Sequence, residues 1–161
     1  MEPRLDGEAR EALGMFADEK SAHRYLERVL WPDGVCCPRC DSTARVRKLD
    51  GASTRLGAYK CYGCRKVFSL LHGTVMSSSH VPAHKWLQAM YLMQGGAKPI
   101  RAQQLGSILD VSFKTAASML RRIGDSSRQA ASGSGINGGH TGLAVDFVIR
   151  RPRRRPTVRS G

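Results

Sequence analysis

Two cysteine pairs constrain this chain more tightly than any other feature. Cys37 and Cys40 are two residues apart, Cys61 and Cys64 are two residues apart, and twenty residues separate the pairs. A C-x2-C turn brings two thiolates to one ion, and two such turns close a tetrahedron, which is the preferred geometry of zinc. Four thiolates leave no open coordination position, so the expected role of the ion is structural and not catalytic. Pro38 fixes φ within the first turn and Gly63 is expected to supply positive φ in the second. Cys36 is an alternative partner for Cys40 through a C-x3-C spacing. Cys37 is preferred because it matches the spacing of the second pair, which leaves Cys36 as a spare thiol. His72, His80 and His84 are not required as ligands and are expected at the surface or in local packing. His23, with no second ligand-type side chain close by in sequence, is expected at the surface.

The residues around the knuckles read as short strands: 43–49 (TARVRKL), 54–62 (TRLGAYKCY) and 66–70 (KVFSL). A three-stranded ribbon of this size buries too little apolar surface to stand alone. Bound zinc is then expected to supply a large part of its folding free energy, on the order of 10 kcal/mol.

Helical patterns flank the ribbon. In residues 18–30, Ala22, Tyr25, Leu26, Val29 and Leu30 share a face, Asp18 is a candidate N-cap, and Pro32 with Gly34 stops the helix. Beyond the ribbon, Trp86, Leu87, Met90, Tyr91 and Met93 predict a helix over about 84–94 that ends at Gly95-Gly96. A second is expected over about 100–109, burying Ile100, Leu105, Ile108 and Leu109. A third, over about 113–123, has Ser112 as N-cap and Phe113, Ala116, Ala117, Leu120 and Ile123 packed inward. Three helices with a tight break before the last have the outline of a helix-turn-helix, whose final helix enters the major groove of DNA. The outward set is then Ser112, Lys114, Thr115, Ser118, Arg121 and Arg122. Short polar groups near the helix start suit base edges, and the arginines suit phosphate or guanine.

Charge supports a polyanionic partner. The 161 residues carry a net charge of +13, and residues 150–161 (RRPRRRPTVRSG) contribute six arginines and no acid. Without them the chain is still +7. The Arg/Pro tail is expected to be disordered, and the Gly/Ser-rich stretch before it reads as a flexible linker. Aromatic residues make up only 6%, so no single large core is expected. No apolar run is long enough to span a bilayer and no secretory signal is evident, which places the chain in the cytoplasm, associated with the nucleoid.

The order of these parts resembles a known family. WPDGVCCPRC, then YKCYGCRKVFSLLHGTVMSSS, then VPAHKWLQAMYLM and LGSILDVSFKTAASMLRRI are similar to the amino-terminal half of bacterial insertion-sequence transposases with a zinc ribbon. The similarity runs from about residue 16 to 125. It implies recognition of DNA at the ends of a mobile element. The family's second half is a ribonuclease H-like domain that holds two divalent ions on an Asp-Asp-Glu set. Asp146, in LAVDFVI, stands where the first of those acids is expected, but it is the one acid after Asp125. No catalytic residue is therefore assigned. Asp146 is retained only as a remnant candidate in a vestigial strand.

The expected architecture is α+β: a small three-stranded zinc ribbon flanked by an amino-terminal helix and a three-helix, helix-turn-helix-like segment, with a disordered basic tail. The expected divisions are an amino-terminal helical segment (1–34), the zinc ribbon (35–74), the helix-turn-helix-like segment (80–130), a flexible linker (131–142), and the vestigial strand with basic tail (143–161). The expected function is that of a zinc-dependent, DNA-binding transposase fragment without its catalytic domain, inactive as an enzyme by itself. Its partner would be double-stranded DNA and not a membrane, and homodimerisation would suit paired element ends. The alternative is a free-standing zinc-ribbon transcription regulator.

Overall fold

The computed structural model describes residues 14, 16–94 and 98–132. The Gly95-Gly96 helix stop, the flexible linker beyond Ser132, Asp146 and the basic tail lie outside the described residues.

Helix α1 spans Glu19–Leu30 and is capped by Asp18, whose carboxylate accepts the Ser21 N–H at 2.7 Å. Three strands follow: β1 (Val46–Lys48), β2 (Ala58–Cys61) and β3 (Val67–Ser69). They form an antiparallel sheet in the order β1-β2-β3. The strands are shorter than the sequence expectation, most of all β2, whose expected first residues 54–57 are taken up by turns of the β1–β2 connection in which the Thr54 N–H donates to the Gly51 carbonyl and the Ala58 N–H to the Arg55 carbonyl. Helices α2 (Ala83–Gln94), α3 (Ala102–Leu109) and α4 (Phe113–Ser132) complete the order. α4 continues past Ile123, the expected end, and enters the segment read as the start of the linker.

The ribbon and the helices share a core, contrary to the expectation drawn from the low aromatic content. One contiguous buried cluster includes Phe16, Ala22 and Leu26, then Tyr59, Phe68 and Met76 of the ribbon segment, then Trp86, Leu87, Leu105, Met119 and Ile123. Aliphatic and methionine side chains fill volume that aromatics fill elsewhere. Trp31 packs edge-on against Tyr59 with ring centroids 5.1 Å apart and against Phe68 at 6.3 Å. Tyr59 and Phe68 sit opposite one another across β2 and β3 and stack at 5.7 Å. The tryptophan that precedes the first knuckle thus covers the inner face of the sheet.

α3 and α4 are joined by three residues, Asp110, Val111 and Ser112. Asp110 takes the left-handed conformation at φ 51°, and the Val111 N–H donates to the Gly106 carbonyl at 3.0 Å. The approach is close enough that a Cβ on Gly106 would lie 2.9 Å from the Val111 carbonyl oxygen. Ser112 caps α4 by accepting the Thr115 N–H at 3.2 Å.

Phe113 is corrected: it is 65% exposed, and Met119 takes an inward place instead. Phe113 is the first residue of α4 and lines a surface cavity with Gln103, Gly106, Ser107 and Val111, while the face that enters the core is carried by Ala116, Met119 and Ile123 at i, i+3 and i+7. His23 is also corrected. It is 4% exposed, because Gly57 of the β1–β2 connection lies across its ring.

Candidate metal centre

Cys37, Cys40, Cys61 and Cys64 converge, with all four sulfurs within 4.8 Å of one another. Two cross-knuckle separations are 3.7 Å (Cys37–Cys64) and 3.5 Å (Cys40–Cys61). A zinc–sulfur bond of about 2.3 Å in tetrahedral geometry requires sulfurs about 3.8 Å apart. The cluster therefore has the dimensions of a zinc tetrathiolate. The separations are far beyond the roughly 2.05 Å of a disulfide. Cys36 lies outside the cluster, with its thiol toward the Cys37 carbonyl at 3.8 Å, as the matched spacing indicated.

The two knuckles are built alike. The Cys37 N–H donates to the Ser42 carbonyl at 3.0 Å, and the Cys61 N–H donates to the Lys66 carbonyl at 2.9 Å, each spanning five residues. The left-handed residue in each follows the second cysteine: Asp41 at φ 57° and Arg65 at φ 60°. Gly63 does not have the positive φ expected of it. A Cβ there would meet the sulfurs of Cys61 and Cys40 at ordinary contact distance, 3.5 and 3.8 Å.

Backbone N–H groups aimed at sulfur favour the thiolate that binds metal. The Cys64 N–H, helped by that of Gly63 and against partial desolvation, pulls the Cys61 thiol down to about 7. Cys40 also receives the Ser42 N–H, but the sulfurs of Cys61, Cys37 and Cys64, with desolvation, push it up to about 12. Four crowded sulfurs cannot all ionise without a cation among them, and a divalent ion removes that conflict.

A three-stranded antiparallel sheet closed by four cysteines from two knuckles is a zinc ribbon, and its zinc is structural. Residues 17–67 match the family described as the transposase zinc-ribbon domain, of the IS1595 type. The chain is also 33% identical over 108 residues to a protein of the transposable element ISH50 from Halobacterium salinarum. That match covers 67% of this chain and 35% of the relative, so the chain spans about a third of the length of the curated relative it matches. No solved structure matches. The insertion-sequence resemblance carried by the motifs is borne out. Among the described residues, no helix is long and apolar enough to cross a membrane.

The outward residues of α4 differ in availability. Ser112, Lys114 and Arg121 are exposed, while Thr115 and Ser118 are half-buried. Ser112 and Thr115 engage each other, hydroxyl to hydroxyl at 2.8 Å. Arg122 is corrected as an outward residue. It donates to the Ser77 carbonyl at 2.8 Å and lies over the Trp86 ring at 5.1 Å, which ties α4 to the segment before α2.

Sequence reasoning missed Glu19. One of its oxygens accepts the Ala83 N–H at 2.9 Å, and the other accepts the His84 N–H at 3.1 Å and pairs with His84 Nδ1 at 2.8 Å. His23 Nε2 reaches the same carboxylate at 3.2 Å. Glu19 in α1 thus caps α2 from 64 residues away and joins the ribbon's leading helix to the helical segment. Its position in the first turn of α1 was visible in the sequence, but its partners were not.

Proposed function

We propose that this chain is a DNA-recognition unit of an insertion-sequence transposase, with α4 entering the major groove of duplex DNA. One observation carries the reading: α4 exposes Lys114 and Arg121, follows α3 after a three-residue turn, and packs in one core with a transposase zinc-ribbon domain. A short turn between two helices, the second bearing exposed polar and basic residues, is the arrangement that places a helix on base edges. Lys114, Ser118 and Arg121 are the residues assigned to DNA. Ser112 and Thr115 organise the helix start, and Arg122 holds the helix in place.

Recognition, and not cutting, is the role of these residues. Two-metal phosphodiester chemistry needs several convergent carboxylates, and Asp146 is the one acid after Asp125. The nucleoid is the corresponding location, and the net charge of +13 favours association with its phosphates.

The test is titration of the zinc-loaded chain against duplexes carrying the terminal repeats that flank its gene, and against shuffled duplexes. Tighter binding to the repeats is expected, with affinity falling steeply as salt rises. Absence of duplex binding at low salt would overturn the reading.

A further inference from the structure

We infer that the outer face of the ribbon sheet is a second DNA contact, which holds the sugar-phosphate backbone through Arg45, Arg47, Lys60 and Tyr62. This rests on the DNA-binding reading above and adds a surface to it that is separate from α4.

The strand register separates the two faces of the sheet. Lys48, Tyr59 and Phe68 form one cross-strand row, and Arg47, Lys60 and Val67 form the next. The first row faces inward: Tyr59 and Phe68 are buried, and Lys48 reaches Glu27 of α1 at 2.5 Å. Side chains alternate along a strand, so the second row faces away from α1. Arg47 is exposed, and Val67 is 58% exposed. Lys60 stands between them with its ammonium 5.3 Å from the centre of the Tyr62 ring, and Tyr62 is itself 44% exposed. The Tyr62 N–H donates to the Arg45 carbonyl at 2.7 Å, which fixes Arg45 beside it at the same end of the sheet. Lys48 has a carboxylate partner, whereas no outward-facing position of the three strands is acidic.

This face fits a nucleic-acid backbone by charge and by shape. Arg47 lies in β1 and Arg45 just before it, so the chain separates them by at most about 7 Å, comparable to the spacing of successive phosphates on one DNA strand. Arginine and tyrosine both donate to phosphate oxygens. A second copy of the chain is disfavoured as the occupant, because stacking two such faces would set cation against cation. The contact reads no sequence. It adds affinity and fixes how the ribbon lies on the duplex.

The experiment uses the full zinc-loaded chain and a duplex of its flanking terminal repeats. The variants are Arg47→Glu with Lys60→Glu, the milder Arg45→Gln with Arg47→Gln, and Lys114→Ala with Arg121→Ala for comparison. Zinc content and melting temperature are measured for each. The charge reversal is expected to weaken binding at least about tenfold near 0.1 M salt. It should also reduce the slope of log affinity against log salt by about 2, at about 0.9 per lost phosphate contact, while the preference for repeats over shuffled DNA is kept. Should the reversed variant lose zinc, the milder pair carries the test, together with acetylation footprinting of the wild type. Duplex should then protect Lys60 and leave Lys48 unchanged. Affinity within twofold of wild type, or an unprotected Lys60, while the α4 variant binds weakly would overturn this contact and leave the α4 reading standing. Failure of the wild type to bind any duplex would overturn both. Retention of an acidic protein but not DNA on this face would overturn the assignment of its partner.

Discussion

Glu19 and Ala83 are 64 residues apart in sequence and 2.9 Å apart at a carboxylate–amide hydrogen bond that opens helix α2. The first turn of a helix leaves its N–H groups without intrahelical partners, and a side chain normally supplies the acceptor from just upstream. Here the acceptor comes from α1. The contact therefore orients one helix relative to another as well as capping it, and it links the metal-bearing segment to the helices proposed to read DNA.

Glu19→Ala is expected to lower stability by about 2 kcal/mol, a fall of about 10 °C in melting temperature, because two N–H groups at the start of α2 lose their acceptor. Scanning calorimetry of the zinc-loaded chain checks this. A change below about 2 °C would mean that water serves the cap equally well.

Acid should weaken the same framework. Burial tends to raise the Glu19 pKa, but the Ala83 N–H and the side chain and N–H of His84 outweigh it and hold the group below the ordinary glutamate value. Glu27 is held low in the same way, as hydrogen bonds from Lys48 and Tyr59 outweigh its burial. A carboxylate with a depressed folded pKa stabilises above its unfolded pKa, and that contribution is lost as pH falls through the folded value. Wild type should therefore exceed Glu27→Gln in melting temperature at pH 7, and the gap should close below about pH 4.5. Comparing the two at each pH separates this effect from acid release of zinc, which both share.

Cys61→Ser and Cys64→Ser should each release zinc and unfold the ribbon, since the ion supplies on the order of 10 kcal/mol to a sheet of ten strand residues. Cys36→Ser should keep one equivalent of zinc and its melting temperature, because its sulfur lies outside the cluster. Metal analysis of the three variants decides whether Cys36 or Cys37 is the ligand.

Gly57→Ala should cost at least about 2 kcal/mol, because Gly57 sits at φ +75° and the new methyl would lie 2.5 Å from His23 Nδ1. Adding His23→Ala removes the overlap, so the double variant should be more stable than the sum of the single effects implies. Strict additivity in denaturant melts would show that backbone strain alone sets the cost.

Arg121→Ala and Arg122→Ala should separate cleanly. Arg122 bonds Ser77 and lies over Trp86, so its loss should lower stability by about 1–2 kcal/mol. Arg121 is exposed, so its loss should leave the melting temperature unchanged and reduce duplex affinity. The reverse pattern would exchange the two roles.

Much of this architecture was legible because its signals are local. The C-x2-C pairs, the Asp18 and Ser112 caps and the apolar spacing in 18–30 and 84–94 each act over a few residues, and each appears where the sequence put it. The failures share a cause as well. His23 is buried by a glycine from a distant loop, and Arg122 is turned inward by the Ser77 carbonyl and the Trp86 ring. None of those neighbours lies within a helical turn of the residue it redirects.

The sequence by itself determined the ligand set, the strand and helix order and the excess of positive charge, since ligand spacing, local periodicity and composition do not depend on what lies across the core. Only the tertiary structure decided which cations face solvent, that ribbon and helices share one core, and that Glu19 ties them together. Those outcomes depend on which surfaces the chain brings into contact, and desolvation with hydrogen-bond pairing then fixes the state of each side chain there.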